Sequence, residues 1–539
     1  MLKPLEVLKH YPPHDYSLCG AYESRMGAAR ERPFTVYQGK SWSRQAFREA
    51  YLAAARFLTA RGIRNGDRIA VLARNDIGHV VLLFACARIG AILVPSNPEF
   101  GVAEARYVLH HAGVSAVACG KEVLPVVREA CGGIEPAPWF MQFDAEAPDA
   151  PNLFDLMRDA PEVELPPPAG ADATCIIIYT SGSTGFPKGA MHSQRNFVTS
   201  GEANVARLWL QPDERLLNVL PLFHVNALFY TLAGTLAAGA TVIIVEKFSA
   251  STFWQTAVES GATQVNFIDA VGRILKARPR SEFRPEHRIR TVYGVRPETQ
   301  ECFRNEFRIR NLINGFGMTE IPGLTCNPFE GLQKSTSLGP IGRHPDAART
   351  WAQCRLVDDN GKEVGVDEVG ELWAKHPIVM QGYFRDSEQT AASFHDGWFR
   401  TGDLMRRDAD GYFYFVTRKK DIIRRRGENI AGLEIDRVIG EHPGVIEVAT
   451  VPVPAELGDE EILAAVVQKP GAGLKAEDIA AWCGGRLAAM KAPRFVLFMD
   501  ELPHTPTHKI AKHVLKADPT LRARAIDLRG RAEREKDRA

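Results

Sequence analysis

Short apolar runs alternate with helical patterns through the first 300 residues, and this alternation restricts the fold more than any other feature. DRIAVLARN predicts a strand and DIGHVVLLFACARIGA a helix after it; ATVIIVEKF predicts a strand, and SASTFWQTAVESGA a helix with serine caps at its start. TQVNFID and RTVYGV predict further strands, and RPETQECFRNEF a helix after the second. Because such alternation builds parallel sheets covered by helices, the sequence predicts an α/β fold.

The pattern changes twice in the second half of the chain. Short strands in CRLVDDNGKEV, GELWAKH and GYFYFVTRK, separated by turn residues, are typical of an antiparallel β unit. After Lys420, EVATVPVP, EILAAVVQK, the helix AEDIAAWCGGRLAAM and RFVLFMDEL predict a small α+β domain. We therefore predict a large domain over 1–420, with a β subdomain at about 340–420, then a small domain over 421–516 and a charged, solvated, partly disordered tail over 517–539.

Charge and cysteine usage exclude several classes of protein. The net charge of +1 gives no general attraction to nucleic acid or to acidic membranes. Nine cysteines without a C-x-x-C pair favour free thiols in a reducing compartment, so we expect a cytoplasmic protein. The N-terminus has no apolar run long enough for a signal peptide, and HVVLLFACARIGAILVP contains His79 and Arg88, which predicts a buried helix running into a strand rather than a membrane span.

The stretch YTSGSTGFPKGAMH, residues 179–192, places a flexible hydroxyl-rich loop directly after an apolar run. One interpretation is a surface linker. The other is a phosphate cradle, because glycines let backbone N–H groups approach an anion, hydroxyls add donors and Lys188 adds a charge. The spacing of Gly182, Gly185 and Lys188 is not that of a Walker loop. The loop alone leaves both interpretations open.

Four further stretches have ordinary explanations when each is taken alone. Asp403 in GWFRTGDL, residues 397–404, is placed in a turn and could cap it. The arginine run in GYFYFVTRKKDIIRRRGENI, residues 411–430, could be a solvated face. Lys509 in LPHTPTHKIAKHVLK could be one surface lysine among many. The fourth stretch is NGFGMTE, residues 314–320. Five stretches in this order and spacing are far more specific than any single one.

Together the five stretches resemble the adenylate-forming superfamily, which includes acyl-CoA synthetases, firefly luciferase and peptide-synthetase adenylation domains. The resemblance covers roughly residues 20–516. It implies ATP, Mg²⁺ and coenzyme A as ligands, and a small carboxylic acid as substrate. It also implies that the small C-terminal domain is mobile and rotates about Lys420 between two half-reactions.

The resemblance assigns a role to each matching residue. The loop would grip the β- and γ-phosphates, Phe316 would lie against adenine, Asp403 and Arg418 would contact the ribose, and Glu320 with Thr184 would hold Mg²⁺. Lys509 would bridge the substrate carboxylate and the α-phosphate, in a catalytic set with Glu320, Thr319 and His224. The nucleotide-binding set as a whole is Thr180, Ser181, Gly182, Ser183, Thr184, Gly185, Lys188, Gly294, Gly315, Phe316, Gly317, Thr319, Asp403, Arg418 and Lys509.

These roles agree with the chemistry of the reaction. A carboxylate is a weak nucleophile that must meet another anion, so cations are needed at the α-phosphorus and at the departing pyrophosphate. Lys509 and Lys188, together with Mg²⁺, would supply them. In the family's second pose the 421–430 loop enters the site, which predicts CoA contacts at Arg424, Arg425, Arg426 and Gly427.

The acyl pocket is predicted from HVNALFY, NFIDAV and YGVRP. His224 resembles the residue that lines the acyl and CoA passage, with a packing histidine as the alternative. Polar groups along a deep apolar tunnel would be costly, so the sequence favours a short or polar acid. Asp269 would pair either with a cationic, carnitine-like group of the acid or with Arg296. The predicted lining residues are His224, Asn226, Asn266, Asp269, Val295 and Arg296.

Two departures from the family pattern lie in the predicted acyl pocket and directly before Lys509. The family usually has Gly-Gly-Ala-Pro where this chain has Gly294, Val295, Arg296 and Pro297, and usually a glycine where it has His508. The main prediction is an AMP-forming acid:CoA ligase, with its closest resemblance to crotonobetaine/carnitine-CoA ligases. The alternatives are an enzyme that loads a carrier protein, a long- or medium-chain fatty acid ligase, and a nucleotide-binding regulator without catalysis. The sequence leaves open whether the protein forms a homodimer.

Overall fold

The computed structural model describes residues 1–180, 187–425, 428–455, 460–504 and 510–529. The strands in these ranges are β1 Pro33–Tyr37, β2 Lys40–Ser43, β3 Arg68–Leu72, β4 Ile92–Ser96, β5 Ala116–Cys119, β6 Trp139–Gln142, β7 Thr174–Thr180, β8 Lys188–Ser193, β9 Arg215–Asn218, β10 Thr241–Ile244, β11 Gln264–Asn266, β12 Thr291–Tyr293, β13 Asn311–Ile313, β14 Gly315–Met318, β15 Ile321–Cys326, β16 Gln353–Val357, β17 Val369–Lys375, β18 Gly382–Tyr383, β19 Phe394–His395, β20 Trp398–Arg407, β21 Phe413–Arg418, β22 Ile422–Arg425, β23 Glu428–Ala431, β24 Val445–Pro454, β25 Glu460–Gln468, β26 Phe495–Phe498 and β27 Ile526–Asp527.

The α-helices in the same ranges are α1 Pro4–Lys9, α2 Leu18–Ser24, α3 Arg44–Ala60, α4 Ile77–Ile89, α5 Val102–Ala112, α6 Leu124–Ala130, α7 Leu153–Arg158, α8 Gln194–Leu208, α9 Ala233–Ala238, α10 Phe253–Glu259, α11 Asp269–Ala277, α12 Pro297–Asn305, α13 Ser387–Ala392, α14 Gly432–Gly440, α15 Ala476–Cys483, α16 Lys512–Ala517 and α17 Leu521–Arg524. A π-helix at Asn226–Leu232 leads directly into α9. No helix in the described ranges combines the length and the apolarity needed to cross a bilayer.

Two seven-stranded sheets form the large N-terminal domain. The first has the order β13-β12-β11-β9-β10-β1-β2, and only the pairing of β1 with β2 is antiparallel. The second has the order β18-β8-β7-β4-β3-β5-β6 and is parallel from β7 to β6. The mainly parallel sheets predicted from strand–helix alternation are therefore confirmed.

The helix α4 lies inside the main core, which joins residues of both large sheets with α3, α8 and α9. Its residues are buried all round, apart from Arg88 near its C-terminal end. A helix that is apolar on every side must be covered on every side, and a position within this shared core provides that cover. The predicted helix and following strand in HVVLLFACARIGAILVP are thus α4 and β4.

An antiparallel sheet of β16, β17, β20, β19 and β21 follows the second large sheet, as the sequence predicts. The small C-terminal domain contains a sheet of order β24-β25-β26-β27, and α14 and α15 pack on its core. The predicted fold class, with a large α/β domain, a β subdomain and a small α+β domain, is confirmed.

Two local predictions are wrong, and a third, the solvated tail, does not hold for the described residues. The helix α10 has Thr252 at its N-cap without a side-chain hydrogen bond, so the serines before it do not cap it. Asp403 lies within strand β20 and not in a turn, although Gly402 before it has a φ of 70°. The described part of the tail is folded, because Leu521 is buried and β27 pairs antiparallel with β26.

Candidate active site

The hydroxyl-rich loop joins two neighbouring antiparallel strands. Thr180 at the end of β7 pairs with Lys188 at the start of β8, while residues 181–186, with Ser181, Gly182, Ser183, Thr184 and Gly185, lie outside the described residues. The Lys188 ammonium lies 5.5 Å from the centre of the Tyr383 ring. Partial burial lowers the pKa of Lys188, against the opposing effects of Asp386 and Glu320. A cation is therefore held at the end of the loop with carboxylates nearby.

The NGFGMTE stretch forms the hairpin of β14 and β15. Side chains alternate along a strand, so Gly315 and Gly317 share one face and Phe316 points to the other. A Cβ at Gly315 would lie 2.9 Å from the Tyr293 hydroxyl, and one at Gly317 would collide with the Tyr230 hydroxyl. The glycines therefore let two phenol groups approach the hairpin backbone, while Phe316 stays half-buried on the opposite face.

The end of this hairpin is held by two buried side chains from elsewhere in the domain. The Tyr383 hydroxyl donates to Glu320 Oε1 at 2.8 Å, and the His192 Nε2 atom lies 2.7 Å from the Thr319 carbonyl oxygen. Burial lowers the pKa of His192 to about 4, so the ring is neutral near pH 7. The Asn196 amide faces His192 Nδ1 at 3.3 Å, which leaves Nε2–H as the donor to Thr319.

Asp403 is the most unusual polar group in this region. It is 1% exposed, and its two carboxylate oxygens are buried without a hydrogen-bond partner. Arg418, opposite it across β20 and β21, brings Nε to 3.2 Å from Oδ1, without hydrogen-bond geometry. Burial raises the pKa of Asp403 to about 6, against the lowering effect of Arg418. Two unbonded acceptors on one buried carboxylate match the two hydroxyls of a cis-diol such as ribose.

The site fits a magnesium ion that is held mainly by phosphates. In the described residues no group of three or more His, Cys, Asp or Glu side chains could hold a metal ion. Mg²⁺ in nucleotide sites usually takes only one or two protein carboxylates together with phosphate oxygens and water. Glu320, fixed by Tyr383, would supply one such carboxylate close to Lys188.

Comparison with known proteins agrees with this geometry. The family model described as AMP-binding enzyme matches residues 22–384, and the model described as AMP-binding enzyme C-terminal domain matches residues 434–509. The chain belongs to the AMP-binding enzyme family. The resemblance to adenylate-forming enzymes that the five stretches predict is thereby confirmed.

Individual relatives of this AMP-binding enzyme are CoA ligases. It is 35% identical to a sulfoacetate–CoA ligase of Cupriavidus necator, over 85% of this chain and 88% of that protein. A crotonobetaine/carnitine–CoA ligase of Salmonella paratyphi A is 28% identical over 88% and 93%. The crystal structure of ATP-bound MatB from Rhodopseudomonas palustris superimposes with a TM-score of 0.82, at 26% identity, over 93% of this chain and 98% of that one.

In this AMP-binding enzyme, Asn226 and Gly294 both lie against the Phe267 carbonyl. The Asn226 amide, at the start of the π-helix, donates to the Phe267 carbonyl at 3.3 Å, and its Oδ1 is buried without a partner. Gly294 has a φ of 90°, and a Cβ there would collide with the same carbonyl, so this position requires glycine. Val295 is buried, and His224 lies half-buried against Phe223.

Two other predicted acyl residues, Asn266 and Asp269, are paired with side chains of the protein itself. Asn266 is fully buried and satisfied, because Nδ2 donates to Thr231 at 2.8 Å and Oδ1 accepts from Gln264 at 2.6 Å. Asp269 lies 3.3 Å from Arg273, one turn further along α11, and Arg296 is exposed. The predicted Asp269–Arg296 pair is therefore wrong, and Asp269 already has a cationic neighbour.

The remaining predicted contacts, to CoA and to the α-phosphate, belong to the C-terminal domain. Lys509, Arg426 and Gly427 lie outside the described residues. Arg424 is exposed, but Arg425 is buried and its Nε lies 2.7 Å from Glu461. The alternative interpretation of this run as a solvated face does not hold at Arg425, because alternate residues of β22 face opposite sides.

Lys420, the predicted hinge, lies between two anchored residues. Before it, Lys419 Nζ lies 2.9 Å from Asp359 and 3.1 Å from Glu371 of the N-terminal domain. After it, Lys516 Nζ donates to the Lys420 carbonyl at 2.8 Å and lies 2.9 Å from Asp421. The chain is thus fastened to one domain on each side of this residue.

Sequence reasoning missed three buried residues that contact the hairpin: His192, Tyr383 and Arg207. His192 lies at the end of the loop stretch, within the quoted motif, so its position offered a signal. Tyr383 and Arg207 belong to none of the five stretches, and only the tertiary structure brings them to the hairpin.

Proposed function

We propose that the protein is an ATP-dependent acid:CoA ligase that forms AMP. The observation that supports this best is the buried Asp403 carboxylate, which has two unbonded oxygens beside Arg418. A buried carboxylate without partners is costly, so an arrangement of this kind is expected where a ligand completes it. Ribose hydroxyls complete it chemically, and the neighbouring Thr319, Glu320 and Lys188 then face the phosphates.

The proposed reaction has two steps. First, an oxygen of the acid's carboxylate forms a bond to the α-phosphorus of ATP while the bond to the bridging oxygen breaks and pyrophosphate leaves. Next, the sulfur of CoA forms a bond to the acyl carbon, the bond from that carbon to the AMP oxygen breaks, and the thiol proton goes to solvent. In this proposal Lys509 and Lys188 offset the charge of the first step, and Arg424 with Arg426 contacts CoA in the second.

Bound Mg²⁺ would neutralise phosphate charge as pyrophosphate departs. In the proposal Glu320 holds the ion together with Thr184, and the Tyr383 hydroxyl fixes the direction of the carboxylate. His192 fixes the Thr319 carbonyl and so the backbone that precedes Glu320. These contacts pre-organise the site before the nucleotide binds.

We propose a short or polar acid as the substrate. Two phenol hydroxyls fill the space above Gly315 and Gly317, which leaves little room for a long chain. The 35%-identical relative is named for sulfoacetate, which is a short polar acid. A carnitine-like cation is a weaker candidate, because Asp269 is already paired with Arg273. A cytoplasmic location is proposed from the nine cysteines, none of which forms a disulfide.

ATP–pyrophosphate exchange and CoA-dependent AMP release, measured over a panel of acids, test the proposal. An enzyme that loads a carrier protein would show exchange but no AMP release with CoA, and a regulator without catalysis would show neither. As a second test, Lys509→Ala should lower the rate of adenylation on the order of 10²–10³-fold. It should still convert supplied acyl-adenylate and CoA to thioester, and an equal loss in both steps would contradict the two-pose mechanism.

A further inference from the structure

Two side chains of α5 reach the strand ends between which the hydroxyl-rich loop runs. The Tyr107 hydroxyl donates at 3.1 Å to the carbonyl of Pro187, the residue directly before β8. His111 Nδ1 lies 2.7 Å from the hydroxyl of Tyr179, the second-last residue of β7. One helix therefore contacts the chain on both sides of the loop.

The two α5 residues act as a single unit. They are four positions apart and so lie on the same side of the helix. Their rings stack with 5.6 Å between centres and 17° between planes. Burial and the nearby Arg385 lower the pKa of His111, against the opposing effect of Asp386, so the ring is neutral near pH 7. Burial raises the pKa of Tyr179, so its phenol keeps a proton that Nδ1 can accept.

The end of α5 that carries His111 is itself fixed by two arginines. Arg68 Nε donates to the Ala112 carbonyl at 2.8 Å, and Arg385 donates to the His111 carbonyl at 2.9 Å. Both carbonyls lie at the C-terminal end of the helix, where the dipole is negative and positive charges stabilise it. The inner face of α5 packs in one core with Ile177 of β7. His111 therefore extends from a fixed support toward the strand that it contacts.

The ring of Tyr179 is held from its other side by β8. Tyr179 pairs with Gly189, and a Cβ on that glycine would collide with Ile177 and lie 3.2 Å from Tyr179 Cζ. The glycine lets the ring lie close across the neighbouring strand, with its hydroxyl directed to His111. The packing of Tyr179 thus accounts for the glycine that follows Lys188.

We propose that Tyr107 and His111 are positioning residues that hold Thr180 and Lys188 at the spacing required by the β- and γ-phosphates of ATP. The inference rests on the proposed function, which assigns these phosphates to the loop. Thr180 and Lys188 face each other across β7 and β8, so a support beside each of them fixes the pair. Without that support both groups would have to be ordered when the nucleotide binds, which lowers affinity.

A comparison of two nucleotides tests the proposal with the full-length protein. MgATP and AMP share adenine and ribose, and only MgATP carries the β- and γ-phosphates. In calorimetry, Tyr107→Phe and His111→Leu should each weaken MgATP binding about fivefold, as for one lost hydrogen bond, and the double variant on the order of 20-fold. AMP binding should change by no more than about twofold. His111→Asn, which can place an oxygen near the position of Nδ1, should recover part of the loss.

A double-mutant cycle checks the proposed partner of His111. Tyr179→Phe removes the hydroxyl that meets Nδ1, so combining it with His111→Leu should weaken MgATP binding no more than either change alone. Additive losses would overturn the role of His111. The matched control is His110→Leu, because His110 Nε2 lies 3.2 Å from the Ala130 carbonyl at the end of α6 and away from the loop. This variant should leave the ratio of MgATP to AMP affinity unchanged.

The remaining outcomes separate positioning from helix packing. If Tyr107 and His111 only pack α5, their variants would lower thermal stability and weaken both nucleotides equally or neither, and the inference would be overturned. If His111→Leu does not fold, Tyr107→Phe decides, since it removes one oxygen atom and keeps the stacked ring. ATP–pyrophosphate exchange tests the proposed function separately: nucleotide binding without exchange overturns that function, and the affinity ratios still decide the inference. Binding of neither nucleotide by the wild type overturns both.

Discussion

The nucleotide side and the acid side of the proposed site are built in different ways. On the nucleotide side, Asp403 and Arg418 face each other across two neighbouring strands, and Thr319 and Glu320 follow one another in a hairpin turn. On the proposed acid side, the π-helix, β12 and the hairpin meet, since the hydroxyls of Tyr230 and Tyr293 lie against Gly317 and Gly315. The first arrangement depends on short segments with fixed residue types, whereas the second depends on how distant segments pack. Changes on the nucleotide side should therefore affect every acid alike, and changes on the acid side should alter the choice of acid.

The largest expected effect is on the nucleotide side. Asp403→Ala should lower kcat/KM for ATP on the order of 10²–10⁴-fold, because the ribose loses two hydrogen bonds to a buried carboxylate, each worth about 1.5–3 kcal/mol. The loss should be the same with every acid that the enzyme accepts. Asp408→Asn, an acidic residue of the same sheet region that pairs with Lys334, is the matched control and should leave the KM for ATP unchanged. A loss confined to one acid would contradict the assignment of Asp403 to the nucleotide side.

The pH dependence of ATP binding should reveal the same carboxylate. Since the pKa of Asp403 is raised to about 6, lowering the pH from 7 to 5 should weaken ATP binding about tenfold as the acceptor becomes protonated. ATP affinity measured by calorimetry across this range tests this. Asp403→Asn should show a flatter profile, and an unchanged wild-type profile would contradict the assignment.

Stability should respond in the opposite direction. The raised pKa means that the folded state binds a proton more tightly than the unfolded state between the ordinary value of 3.8 and about 6. Above pH 6 the charged carboxylate therefore destabilises the fold by about 3 kcal/mol, and this penalty is relieved as the pH falls through 6 toward 4. The difference in the free energy of unfolding between Asp403→Asn and wild type, measured with denaturant, should shrink over that range. A difference that is constant with pH would indicate that Asp403 titrates normally.

His192→Ala should have a smaller effect, about tenfold on kcat/KM for ATP. The substitution removes the donor to the Thr319 carbonyl and leaves that oxygen without its buried partner. Because the ring is neutral, the activity of wild type should show no dependence on His192 between pH 6 and 8. His192→Gln, which keeps an amide donor, should recover part of the activity. A change of acid preference in either variant would contradict the assignment of His192 to the nucleotide side.

Tyr383→Phe should have the smallest effect, about a fivefold increase in the Mg²⁺ concentration that gives half-maximal rate. It removes one hydrogen bond to Glu320, worth about 1 kcal/mol, and keeps the ring that faces Lys188. Tyr383→Ala removes both contacts and should also raise the KM for ATP. If the two variants behave identically, the hydroxyl alone carries the effect and the ring contact with Lys188 does not matter.

The proposed nucleotide side is easier to recognise in the sequence than the proposed acid side, for a physical reason. Segments such as NGFGMTE combine glycines, which permit close approach of other groups to the backbone, with polar residues that would contact phosphates. Their proposed function can therefore be recognised from consecutive residues. Arg207 occurs in an ordinary helical segment, where an arginine is typical of a solvated face, and only packing against Gly323 shows that it is buried. The Asp403 error has a similar origin, since Gly402 with positive φ resembles a turn residue but stands inside a strand.

The tail shows the limit of composition as a guide. Its many charges suggest solvation, yet Asp527 lies 3.1 Å from the buried Arg494, and that pairing compensates a charge that the core already contains. The described residues up to Arg529 form part of the small domain. The predicted boundary between this domain and a tail at 517–539 stays a prediction from composition.

The short strand β27 also affects how two copies of the chain can associate. It pairs with β26 through Phe495 with Asp527 and Val496 with Ile526, and so occupies the outer edge of the last sheet. An open strand edge offers free backbone donors and acceptors to any second chain, which is a route to aggregation. The strand β27 therefore works as an edge cover, and shortening the chain before Ile526 would expose apolar β26 as a template for intermolecular strand pairing.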